Sequence, residues 1–204
     1  MSGRGAKKVL IYGGAFNPPH FGHMRIFSCA LDFVKPDIAL IMPSPVSPHK
    51  QSASVSLSIR AQMCRVFKKL GDCVKISEIE RAGRHDKSFT VKTLRRLRKK
   101  YKQADFYLLI GSDMLLSFET WHRFRRILPM CTLVAASRTG DDMSVLEAKA
   151  KRLEKLGGRV MLMQYDALPM SSREIRKTYS LGGSAADLLD ESVAKIVDKL
   201  GLYR

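Results

Sequence analysis

The sequence predicts an α/β fold: a single doubly wound parallel sheet with helices on both faces. Three observations carry that prediction. Six short, mostly continuous apolar runs recur along the 204 residues, as strands buried on both faces require. Stretches with apolar residues at helical spacing fall between them, and such alternation marks βαβ units. The first apolar run ends in glycines at a strand-to-helix junction, the end of an open parallel sheet where ligands gather.

The opening residues Met1–Lys8 are basic and lead into only a short apolar run, so they read as a frayed start and neither as a signal peptide nor as a membrane anchor. Val9–Tyr12 is the first predicted strand, followed by a helix over His23–Val34. Ile38–Met42 is the second strand and Leu57–Leu70 the next helix. Val74–Ser77 is the third strand. The next helical pattern is Val91–Tyr101; taken over Thr90–Lys102, the helix turns Val91, Leu94, Leu97 and Tyr101 inward by spacing, leaving Lys92, Arg95, Arg96, Arg98, Lys99, Lys100 and Lys102 largely outside. Those outward charges read as a solvated face, with weak, salt-sensitive nucleic-acid binding of no sequence preference as an accompanying expectation. Phe106–Ile110, Thr132–Ala136 and Val160–Met163 complete the strands, separated by helices over Phe118–Ile127 and Val145–Leu156. No internal repeat interrupts this order, and residues 1–204 read as one domain with a small helical segment from about 171.

Hydrophobic residues make up 45% of the chain, enough for one full core. Lys and Arg number 36 against 19 Asp and Glu, a formal charge of +17. That balance implies affinity for anions, whether nucleotides, nucleic acid or an acidic surface, without choosing among them. Cys29, Cys64, Cys73 and Cys131 form no C-x-x-C pair, which suits reduced, buried thiols in a cytoplasm.

The chemistry concentrates in Gly13-Gly14-Ala15-Phe16-Asn17-Pro18-Pro19-His20-Phe21-Gly22-His23. Unpaired N–H groups and the positive end of the helix dipole favour an anion at such a junction, and Gly13 and Gly14 let backbone approach a ligand. His20 and His23 are three apart and share a face if both lie in the first helical turn. The plain alternative is that they only cap the helix. No cysteine lies near the pair, so a zinc site is short of ligands, and the glycines do not follow the G-x-G-x-x-G dinucleotide pattern.

Four further segments offer polar groups. Pro43–Lys50 is a stiff loop whose Lys50 can meet a phosphate, and Thr90 stands at a helix start where it could serve as the cap. Gly111-Ser112-Asp113 ends a strand in a carboxylate suited to a ribose diol or to capping the next helix. Trp121, the only tryptophan, is core by default and a stacking platform otherwise; Arg123, Arg125 and Arg126 beside it suit an anion. Ser171 and Glu174 form a capping box, and Arg176 one turn on makes a second anion site.

The spacing His20-x-x-His23 after a glycine-rich strand end resembles the nucleotidylyltransferase signature. With the later segments, the chain resembles the bacterial nicotinate mononucleotide adenylyltransferases over almost its whole length. The resemblance implies a Rossmann-like nucleotidylyltransferase fold. It also implies Mg²⁺-dependent transfer of the adenylyl group of ATP to nicotinate mononucleotide, giving deamido-NAD and pyrophosphate, by in-line attack without a general base. His20 and His23 are then the catalytic residues and hold the triphosphate. Gly13, Gly14, Phe16, Lys50, Ser171, Ser172, Ile175 and Arg176 surround the ATP. Asn17, Thr90, Gly111, Asp113, Trp121, His122 and Arg138 surround the mononucleotide. In that assignment Trp121 stacks on the nicotinate ring, Asp113 lies near its ribose and Thr90 near its carboxylate.

By the same resemblance the protein itself supplies no dedicated metal ligand, Mg²⁺ being held mainly by substrate phosphates. The implied partners are ATP and nicotinate mononucleotide, with no membrane and no specific nucleic acid. A homo-oligomer is compatible with the sequence. Asn17, Arg173 and His122 stand where many relatives carry Asp, Thr or Ser, and an aromatic such as Tyr. Two rivals remain at this point: the same fold and reaction with another acceptor, nicotinamide mononucleotide or phosphopantetheine, and a basic nucleic-acid-binding relative without catalysis.

Overall fold

The computed structural model describes residues 6–45, 55–80, 89–140 and 142–204. Its strands are β1 (Lys8–Gly14), β2 (Ile38–Pro43), β3 (Val74–Ile76), β4 (Asp105–Gly111), β5 (Thr132–Arg138) and β6 (Arg159–Tyr165). They form one sheet in the order β3-β2-β1-β4-β5-β6, parallel throughout. Each of the six apolar runs is therefore a strand, and the α/β doubly wound class holds. The strand order reverses between β1 and β4, which opens a crevice beyond their C-terminal ends.

Parallel strands need crossover helices on both faces, so their side chains divide between two cores. Leu10, Tyr12, Ile41, Leu109 and Val134 face one layer, formed by α1 (Phe21–Val34), the α2 segment (Leu57–Met63), α7 (Ser172–Ser180) and α8 (Glu191–Lys199). Val9, Ile11, Leu40, Leu108, Ile110 and Leu133 face the other, formed by α3 (Thr90–Lys100), α4 (Ser112–Leu116), α5 (Phe124–Ile127) and α6 (Met143–Lys155). Burying each such Leu, Ile or Phe side chain is worth about 1.5–3 kcal/mol. No helix among the described residues is long and apolar enough to cross a membrane.

Two helices differ from the expectation. Leu57–Leu70 is not one α-helix: α2 stops at Met63 and Cys64–Leu70 winds as a tighter 3₁₀ turn. That winding lines Cys64 up with Phe67, and both are fully buried. Phe118–Ile127 is broken as well, with a short turn over Phe118–Thr120, a left-handed Arg123 (φ 56°) and α5 beyond it. Phe118 and Ile127 would point to opposite sides of a continuous α-helix, whereas the break lets both reach 0% exposure in the same core.

Candidate active site

The first motif turns from strand to helix within a few residues. Phe16 takes a left-handed conformation (φ 45°) and puts its ring, 1% exposed, against Tyr12, Phe67 and His23 at centroid distances of 5.3, 5.4 and 5.2 Å. A Cβ on Gly14 would meet that ring at 2.9 Å, so the close approach glycine permits there is to Phe16. His20 occupies the cap position in extended backbone, and α1 begins at Phe21. The histidines therefore sit at the cap and the third helical position, within the same helical turn.

Their rings lie 3.8 Å apart between centroids, tilted by 36°. The backbone N–H of His20 donates to Nδ1 of His23 at 3.3 Å. An acceptor nitrogen carries no proton, so the neutral His23 ring keeps its hydrogen on Nε2. Burial lowers the His20 pKa from 6.5 to about 4, against the opposing pull of Glu174. Burial, then the neighbouring His20, lowers His23 to about 3. Both rings are neutral near pH 7. The Nδ1 atom of His20 is buried without a hydrogen-bond partner among the described residues.

Several contacts hold this loop. Arg60, buried, donates to the carbonyls of Val55, Ala15 and Ser44 at 3.0, 2.7 and 2.7 Å, tying the motif to the exit of β2. From α7, Ser172 Oγ donates to Pro18 O at 2.8 Å, and Arg176 Nη1 donates to Asn17 O and Ser172 O at 2.7 and 3.0 Å. Ser171 caps α7 by accepting from the N–H of Glu174 at 3.2 Å, and its hydroxyl donates to the Glu174 carboxylate at 2.8 Å. Gly22 N–H donates to Met170 Sδ at 3.1 Å.

Between these elements lies a cavity of about 630 Å³. Tyr12, His20, Gly22, His23 and Ile26 line it from the β1–α1 side, and Gly111, Ser112, Asp113 and Met114 from the end of β4. Ala136 and Arg138 of β5, Tyr165, Ala167 and Leu168 from the β6 end, and Met170, Ser171 and Ser172 close it. It occupies the crevice where strand order reverses. A Cβ on Gly111 would fall 2.6 Å from Asp113 Oδ1, so glycine lets that carboxylate fold back over the strand end. Asp113 is the one acidic side chain in this lining, and among the described residues no group of three or more His, Cys, Asp or Glu is placed to hold a metal.

Residues 11–178 match the model of the Cytidylyltransferase-like family. A protein of Exiguobacterium sibiricum named "Probable nicotinate-nucleotide adenylyltransferase" is 32% identical over 196 residues, covering 96% of this chain and 98% of its own. The chain belongs to the nicotinate-nucleotide adenylyltransferase family. A Clostridium tetani protein of the same name is 32% identical over 200 residues, covering 97% and 100%. A Plasmodium falciparum nicotinic acid mononucleotide adenylyltransferase complexed with NaAD superposes with a TM-score of 0.77 at 17% identity, over 97% of both chains, and thus shares the fold.

Within this nicotinate-nucleotide adenylyltransferase the cavity gathers His20, His23, Gly111, Asp113, Arg138, Ser171 and Ser172 of the expected site. Gly13, Gly14, Phe16, Asn17, Thr90, Trp121, His122, Ile175 and Arg176 are not in its lining. Phe16 and Ile175 are core side chains, 1% and 0% exposed, which back the site from behind. Phe89 takes the cap position of α3, so Thr90 is its first helical residue and not the cap. Phe89 has the extended backbone usual at a cap, and its ring lies against His122, 4.2 Å between centroids, so the residue preceding Thr90 touches the Trp121–His122 turn. Trp121 leans on Phe118 at 5.0 Å. Lys50 and its loop lie outside the described residues. Arg60, Tyr12, Tyr165 and Met170 were not foreseen. Arg60 and Tyr165 carry no local pattern to signal them, whereas Met170 directly precedes the recognised Ser171-Ser172 pair.

Proposed function

We propose that this chain transfers the adenylyl group of ATP to nicotinate mononucleotide, releasing pyrophosphate and forming deamido-NAD. The observation that carries the reading is the pair of buried, neutral imidazoles at the β1–α1 junction, lining one cavity with Asp113 and the start of α7. A phosphate oxygen of the mononucleotide attacks the α-phosphorus of ATP in line, and the bond to the β-phosphate breaks with its electron pair leaving on pyrophosphate. No side chain acts as nucleophile or general base. Rate enhancement comes from positioning and from fixed donors aimed at charge that grows on the transferring and leaving groups.

His23 suits that role through Nε2–H, its other nitrogen being held as an acceptor by the His20 N–H. His20 offers its ring beside it. The open N–H groups at the start of α7 form the second cradle, for the β and γ phosphates. Arg176 spends Nη1 on the carbonyls of Asn17 and Ser172, so in this reading it holds loop and helix together as well as presenting positive charge to ATP. Asp113 takes the mononucleotide ribose, and Trp121, Thr90 and His122 receive the pyridine ring.

Mg²⁺ accompanies ATP in this proposal, bound mainly by the triphosphate, and supplies neutralisation of phosphate charge; a cavity lining with one carboxylate fits a metal carried in by substrate. We place the reaction in one domain, residues 1–204, in a cytoplasm, consistent with four free cysteines, two of them buried. The test is pyrophosphate release from ATP and Mg²⁺ with each acceptor offered in turn. Nicotinate mononucleotide is expected to be fastest. Faster release with nicotinamide mononucleotide or phosphopantetheine would move the assignment to that acceptor.

A further inference from the structure

A continuous run of cations lies outside the cavity lining, on the neighbouring helices α3 and α5. Residues 89–104 and 121–131 together carry ten Lys and Arg and no Asp or Glu. The sequence separates these stretches, but the fold joins them: α3 packs against α5, and Phe89 meets His122 at 4.2 Å across the seam. Arg95, Arg98, Lys99, Lys102, Arg123 and Arg126 are all exposed, and none has an ion-pair partner among the described residues. Elsewhere carboxylates do pair with cations: Glu119 of the Phe118–Thr120 turn with Lys149 of α6, and Glu191 with Lys195 on α8.

We infer that the α3–α5 face is a docking surface for a nucleic-acid duplex, gripped through its phosphates without regard to sequence. A duplex carries one charge per roughly 1.7 Å of axis, and an 11-residue helix extends about 16 Å, so several phosphates lie within reach of α3 at once. An amphipathic helix seated in an anionic bilayer inserts apolar side chains, whereas Val91, Leu94 and Leu97 of α3 are all buried. An acidic protein would call for apolar or aromatic anchors at the centre of its interface, and the outward side of α3 presents only cations. A single strand would call for exposed rings on which bases stack, whereas Phe89 and His122 are stacked on each other.

Arg95, Arg98, Lys99, Lys102, Arg123 and Arg126 belong neither to the cavity lining nor to the residues assigned to ATP or the mononucleotide, so substitution of these cations separates duplex binding from adenylyl transfer. The experiment is fluorescence anisotropy with two unrelated 20-base-pair DNA duplexes at 50 and 200 mM salt. Both sequences are expected to bind equally at low salt. With about four phosphate contacts, affinity should fall on the order of 100-fold between the two salt concentrations. The triple variant Arg95→Glu, Arg98→Glu, Lys99→Glu should lose binding at least 30-fold while keeping adenylyl transfer, which also reports that it is folded. If that variant loses activity, the single variant Lys99→Gln is read instead, where the salt slope should drop by about 0.9. The proposal is overturned by no binding at 50 mM salt, by charge variants that bind like the parent, by tenfold preference for one duplex, or by phosphatidylserine vesicles or polyglutamate displacing the duplex at equal charge.

Discussion

The phenol of Tyr203 donates a hydrogen bond of 2.7 Å to Oδ1 of Asn17. The chain's penultimate residue thus holds the side chain of a loop residue that lies three positions before His20. Burial raises the Tyr203 pKa despite Arg176 and Arg60 nearby, so the hydroxyl stays a donor at neutral pH. With Oδ1 occupied, the Asn17 amide turns Nδ2 away from Tyr203, and Arg176 fixes the same residue through its carbonyl.

Tyr203→Phe keeps the ring and removes only this bond. It should lower stability by about 1 kcal/mol and raise the KM of one or both substrates several-fold, with kcat changed less. Steady-state kinetics and urea unfolding check both parts. Parent-like KM values for both substrates would detach the C-terminus from the site.

His20→Ala and His23→Ala should each lower kcat about 100-fold or more, because water cannot replace a preorganised donor to charge that grows in the transition state. Near-parent turnover in either folded variant would remove that ring from the mechanism.

The histidine pair also fixes the direction of a pH effect. Both folded-state pKa values, about 4 and about 3, lie below the ordinary 6.5, so over that interval the unfolded chain binds more protons than the folded one. Stability contributed by neutral histidines is therefore present above pH 6.5 and is lost as pH falls through 4 toward 3. Urea midpoints should drop across this window, and should drop less in the double variant His20→Ala, His23→Ala. An equal slope in parent and variant would show that other groups govern it.

Acceptor choice should divide between two residues. Stacking on Trp121 serves nicotinate and nicotinamide alike, whereas a hydroxyl donor near the ring substituent favours the carboxylate. Trp121→Ala should weaken both acceptors. Thr90→Val should weaken nicotinate mononucleotide selectively, by about tenfold or more, since a charge-assisted bond contributes roughly 1.5–3 kcal/mol. Comparison of kcat/KM for the two acceptors reads this, and parallel losses in Thr90→Val would remove Thr90 from recognition.

The sheet was legible because most strands are continuous apolar runs, and the histidine motif because its residues are contiguous. Helix continuity was not: the break at Arg123 depends on Phe118 and Ile127 reaching one core, a tertiary demand that local spacing does not express. The same limit hid Arg60, whose three backbone acceptors come from separate segments. Gly14 and Phe16 were read toward a ligand, yet they meet each other, since a loop with its own aromatic ring folded inward has the same composition as one opened to phosphate.

The central claim is that the α-phosphorus of ATP is the atom transferred to nicotinate mononucleotide. Reaction with ATP labelled separately at the α and γ phosphates, with Mg²⁺ and nicotinate mononucleotide present, follows that atom directly. The α label should appear in deamido-NAD and the γ label in pyrophosphate, in equal amounts. Transfer of the γ label to the acceptor, or its release as inorganic phosphate with the α label left in ADP, would contradict the account.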